Sequence, residues 1–97
     1  MEDKYLTLGS VVMLKGGKKA VMVIGYFPIP KDDQSKMYDY MACLFPEGVL
    51  DTDKNIVFNN DDVDQVIFRG LDNEESSTFT EKLSVYKEQI LNQNNNN

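Results

Sequence analysis

The first pattern along the chain is a pair of apolar runs on either side of Lys15-Gly16-Gly17-Lys18. Residues 11–14 read Val-Val-Met-Leu, and residues 20–24 read Ala-Val-Met-Val-Ile. Gly-Gly between two such runs predicts a β-hairpin, because tight hairpin turns need positive φ, which glycine adopts without steric cost. A two-residue loop at Gly16 and Gly17 sets Val12 opposite Val21 and Val11 opposite Met22. Residues 11, 13, 20, 22 and 24 then share one face of the ribbon, and 12, 14, 19, 21 and 23 the other. Both faces are mostly apolar. One is expected to form the core, and the other to be covered by a helix or left for a partner. Lys15 and Lys18 would meet in this register, a conflict that a four-residue loop relieves.

The alternating pattern continues after the hairpin. Strands are predicted over residues 11–15, 18–27, 37–45, 55–58 and 65–69. Gly25 inside the second predicts a bulge or bend, and Pro28 and Pro30 end the pairing. In the third, Tyr38, Tyr40, Ala42 and Leu44 share one face, and Met37, Asp39, Met41, Cys43 and Phe45 the other. Asn59 or Asn60 can cap a single helical turn before the fifth strand, with acidic residues favourably placed in it. Residues 1–8 form a polar lead-in whose Tyr5, Leu6 and Leu8 are expected to tuck onto the edge of a barrel. From Asn73 the period changes. Phe79, Leu83, Tyr86 and Ile90 recur at the spacing of one helical stripe. Ser76, Ser77 or Thr78 can cap it, and Glu81 stands in capping-box register with Thr78. The helix is expected over about 76–91, and the Asn-rich residues 92–97 form a disordered tail. Five short strands followed by one helix predict an α+β fold. It is a small bent antiparallel sheet or SH3-like barrel with a C-terminal helix, residues 1–91 making a single domain. A flatter five-stranded sheet is the alternative.

Composition narrows the chemistry. At 97 residues and 41% apolar, the chain is one domain with a modest core. It contains one Cys and no His. Without His, the commonest general base and metal ligand is missing, so the reading is of a protein that is not an enzyme and uses no cofactor or metal. Cys43 lies in an apolar strand and reads as a small buried hydrophobe. Asp51-x-Asp53-x-Asn55 opens like a calcium loop, but Ile56 replaces the sharp-turn glycine and Asp62 the bidentate glutamate, so a turn is expected. The Lys-Gly-Gly-Lys-Lys tip lacks the spacing of a phosphate loop and precedes a strand. The first ten residues lack the apolar segment of a signal peptide, and no apolar run approaches the ~20 residues of a membrane span. The expected location is the cytoplasm, with no membrane partner.

The net charge of −6 gathers in residues 47–75, where nine acids face Lys54 and Arg69. That disfavours nucleic acid, whose phosphates need clustered cations. Three candidate protein-binding surfaces follow. One is aromatic, with Tyr26, Phe27, Tyr38, Tyr40 and Phe45. One is acidic, with Glu47, Asp61 and Asp62. The third is the helix stripe of Phe79, Leu83, Tyr86 and Ile90. Aromatic residues mostly fill cores, but those left exposed anchor interfaces.

Three ordered motifs carry a resemblance. They are Gly9-Ser10-Val11-Val12 with Leu14-Lys15-Gly16-Gly17; Tyr38-Asp39-Tyr40 with Pro46-Glu47-Gly48; and Phe58-Asn59 with Asp62 and residues 66–70. Over residues 6–70 the chain resembles the small family known as domain of unknown function 4176. Its members occur in Gram-positive bacteria, often near type VII secretion loci and their LXG-domain toxins. The resemblance implies a non-catalytic accessory of toxin export, a chaperone or targeting partner that holds a secretion substrate or its helical partner. An immunity protein, whose acidic surface blocks a basic toxin site, is the alternative. A nucleic-acid-binding small barrel comes third, opposed by the charge. The oligomeric state stays open, a weak homodimer included.

Overall fold

In the computed structural model of the protein, which describes residues 5–95, the hairpin forms in the expected register. Strand β1 (Val11–Leu14) pairs antiparallel with β2 (Val21–Tyr26), Val11 opposite Met22 and Val12 opposite Val21. The turn is tightened by the Gly17 N–H, which donates to the Leu14 carbonyl at 2.9 Å, and Gly16 takes a φ of 76°. Ladder pairing stops at Val12 and Val21, so the tip opens wider than a two-residue loop and Lys15 and Lys18 are not held together.

Strand β3 (Tyr40–Leu44) adds to β2, and β4 (Ile56–Phe58) adds to β3. A single 3-10 turn, Asn60–Asp62, leads into β5 (Val63–Phe68), which returns to pair with β1. All pairs are antiparallel, in the order β4-β3-β2-β1-β5. The sheet is open, so of the two expected forms the bent sheet holds and the closed barrel does not. Both edges are blunt. Strand β4 has three residues, and β5 meets β1 with two register shifts. Short and bulged edges resist further pairing, whether with each other or with another chain. A third shift, between Val23 and Gly25, bends β2 where the isolated glycine predicted it.

Alternation sorts the sheet into two faces. Val12, Val21, Val23, Tyr40, Ala42 and Phe58 point to one side and are buried. On the other side Phe68, Val11, Met22 and Cys43 lie side by side in one row across four strands. Gly25, Met41 and Val57 form a second row, and Gln65 and Met13 begin a third.

The helix α1 (Glu74–Asn95) packs on the first face. Leu83 joins the core, the Phe79 ring lies 5.9 Å from that of Tyr26, and Tyr86 stacks on Phe27 at 5.8 Å. Asn73 caps it: its Oδ1 accepts the Ser76 N–H at 2.9 Å, and its own N–H donates to Ser76 Oγ. The helix therefore starts two residues before the expected 76. Its backbone continues through residues 92–95, which the sequence reading assigned to a disordered tail; Asn96 and Asn97 lie outside the described residues. Residues 5–7 also join the core face. Tyr5 and Leu6 are buried, whereas Leu8 turns outward. The Leu6 N–H donates to Tyr40 Oη at 2.9 Å, and the Tyr26 hydroxyl donates to the Leu6 carbonyl at 2.5 Å. The Tyr5 ring stands edge-on to Phe27 and Tyr40.

Candidate functional site

The twelve residues singled out from the sequence do not converge. Tyr40 and Leu83 are core residues, so no partner reaches them in this fold. Tyr26, Phe27, Phe79 and Tyr86 form the junction between sheet and helix. Ile90 is half-buried further along the helix. The helix stripe thus packs on its own sheet through Leu83, while Phe79 and Tyr86 each keep about half of their surface exposed, 51% and 53%. Phe27 adopts a left-handed φ of 57°, and its N–H donates to the Asp39 carbonyl at 3.1 Å. This turn swings its ring out of strand alternation towards Tyr5 and Tyr86, at a cost of about 1 kcal/mol. Tyr38 is half-buried. Phe45 is exposed, and Glu47 pairs with Lys19 at 3.0 Å. Asp62 closes the 3-10 turn, its Oδ2 accepting the Asn59 N–H at 2.9 Å. Phe79 borders a shallow pocket along the first turns of α1, and Asp61 lines a larger cleft.

That cleft, of about 1030 Å³, runs between α1 on one side and the 3-10 turn and β5 on the other. It exists because α1 leans on the Tyr26 and Phe27 side of the core face and leaves the β5 side open. Leu6, Val63, Val66 and Leu91 give it an apolar lining, and Asp61, Asp64, Glu88 and Arg69 a charged one. At its base lies a network the sequence reading missed. Asp39 is 4% exposed. Its Oδ1 accepts Lys87 Nζ of α1 at 2.7 Å, and its Oδ2 accepts the Asn60 N–H at 2.9 Å. Its own N–H donates to Asn59 Oδ1, and the Tyr40 hydroxyl meets Asn60 Oδ1. Asp39 lies just outside β3, so strand alternation does not govern where its carboxylate goes. An aspartate inside an apolar stretch was the available signal, since a buried carboxylate needs a cation and donors. Which cation is 48 residues away in sequence.

The electrostatics follow the packing. The hydrogen bond to Asp39 raises the pKa of Lys87 against the opposing effect of burial. Burial raises the Tyr5 phenol, and the Asp39 charge adds to it. Burial likewise raises Tyr26 and Tyr40. Both Asp39 oxygens accept hydrogen bonds, one from Lys87 Nζ and one from the Asn60 N–H. Cys43 is buried in the sheet. The Asp51 segment is a turn, with Asp51 Oδ1 accepting the Asp53 N–H at 2.9 Å. Among the described residues, no group of three or more His, Cys, Asp or Glu could hold a metal ion, and no helix is long and apolar enough to cross a membrane.

Fold and site define a small α+β protein: an open five-stranded antiparallel sheet, one face under a helix, with an amphipathic cleft beside that helix. Residues 5–79 match the family model described as Domain of unknown function (DUF4176), and the chain belongs to that family. The match reaches back to Tyr5 and forward to Phe79, so it takes in the buried lead-in and the start of α1. No curated protein and no solved structure matches the chain.

Proposed function

We propose that this chain is a non-catalytic protein-binding module that receives a segment of a partner protein in the cleft between α1 and β5. The observation that carries the reading is the lining. Apolar side chains of Leu6, Val66 and Leu91 stand beside the carboxylates of Asp61, Asp64 and Glu88. Small-molecule pockets enclose their ligand and converge a few polar groups on it. An open cleft with an apolar lining and acidic flanks instead suits a polypeptide that carries both apolar and basic side chains. The family resemblance supports the partner's class, a type VII-secreted toxin of the LXG kind or its helical companion. The module would then act in the cytoplasm as chaperone or targeting partner before export.

Co-purification from the native cell with an LXG-type toxin tests the reading. The wild-type chain should retain that toxin, and Asp64→Lys with Glu88→Lys should lower retention about tenfold or more, as charge reversal at a complementary interface does. A wild-type chain that retains no such toxin overturns it. The acidic flank of the cleft also favours a second reading, an immunity protein covering a basic toxin site. That reading requires cells expressing the toxin domain to survive when this chain is present.

A further inference from the structure

The cleft lies on the helix-covered side of the sheet. The opposite face has no helix over it, and its chemistry differs. Across its three rows the only polar side chain is Gln65, and no position carries a charge. Val11 and Cys43 are buried between taller neighbours, Met13, Met22, Met41 and Val57 keep part of their surface in water, and Phe68 is 60% exposed. From these features we infer that the protein forms a weak, concentration-dependent homodimer, in which two copies stack this face on itself.

The choice of a second copy rests on charge, and the area limits the affinity. A two-fold contact needs one surface complementary to itself, and an apolar sheet face without ions meets that condition. The net charge of −6 is carried elsewhere, so two copies can meet here without setting carboxylates against each other. A partner selected by charge would find nothing on this face to recognise. Twisted sheets stack face to face at about 10 Å, and thioether side chains interdigitate readily. The patch is small, however. Five strands at ~4.8 Å and about five residues at ~3.3 Å give roughly 20 by 16 Å. That falls short of the ~800 Å² per partner of a stable standard interface. Affinity should therefore be modest, and the repulsion between two acidic copies should make it tighten as salt is added.

Sedimentation velocity from about 10 μM to about 1 mM, a span that brackets weak association, should show a monomer passing to a dimer. Methionine methyl NMR over the same range locates the contact. Met13, Met22 and Met41 should shift with concentration, and Met37, which lines the cleft, should not. Phe68→Lys sits at an exposed edge position and should fold, while raising the dissociation constant about tenfold or more. A chain that stays monomeric throughout overturns the inference. So does a dimer that Phe68→Lys leaves intact, or one that moves Met37 instead. The inference is distinct from the cleft: Asp64→Lys with Glu88→Lys should not weaken dimerisation, and by lowering the net negative charge should if anything tighten it.

Discussion

Gly70 has no room for a side chain. A Cβ there would stand 1.9 Å from the Leu8 carbonyl oxygen and 3.0 Å from the Ser10 nitrogen, both backbone atoms. Its N–H donates to Ser10 Oγ at 3.0 Å. Residues 8–10 and Gly70 are thus held together by contact and by a hydrogen bond. Gly70→Ala should cost about 2 kcal/mol or more, since backbone must move to admit the methyl group. Urea unfolding should show a lower midpoint with an unchanged slope. Tyr40→Phe removes a single hydroxyl with two bonds. It deletes the acceptor of the Leu6 N–H and the donor to Asn60 Oδ1, and leaves the Leu6 donor buried, which costs about 1–3 kcal/mol. Hydrogen exchange at the Leu6 amide should accelerate with the loss; an unchanged rate would show that the bond does not hold the lead-in down. Neither role could be read from the sequence. Gly70 there is a glycine after a strand and Tyr40 one aromatic in an apolar run, because the groups that constrain them come from remote segments.

The elements were legible where local chemistry decides them. Gly16 and Gly17 set the register of β1 and β2 without help from the rest of the chain. Phe79, Leu83 and Tyr86 announce α1 by spacing, and Asn59 announces the 3-10 turn. Edges and layers were legible only in part. The brevity of β4 was legible as a short strand over 55–58, but the two register shifts in β5, which also bear on whether the sheet closes, leave no residue signature. The docking of α1 adds an electrostatic fastening to its aromatic one, through Lys87 and Asp39. Lys87→Met should cost about 1–2 kcal/mol, less than a fully buried pair, because the lysine is one-third exposed and Asp39 keeps the Asn60 N–H. Combined with Asp39→Asn in a double-mutant cycle, the two changes should be less than additive; strict additivity would mean that the ion pair contributes nothing.

For the whole molecule, the aromatic layer between sheet and helix ties stability to alkaline pH. Tyr5, Tyr26 and Tyr40 are raised by burial, and Lys87 by its bond to Asp39. Each group holds its proton more tightly folded than unfolded. Their contribution is complete below the usual values near 10 and is lost as pH rises through the raised ones. The melting temperature should show no loss from these groups up to about pH 10 and then fall, with the tyrosinate absorbance of Tyr5, Tyr26 and Tyr40 appearing as the protein unfolds. A three-tyrosine titration completed before any loss of structure would contradict this. The same layer also bears on how the chain is made. Residues 5–7 are sealed between Tyr40 and Tyr26 on the sheet and the helix that carries Leu83, so residues translated ahead of the sheet wait for burial on a helix translated after it. On the ribosome the sheet can assemble strand by strand, but its aromatic side remains wet and adhesive until α1 has emerged. A stall or truncation between residues 68 and 83 would therefore release a species that aggregates or recruits chaperones.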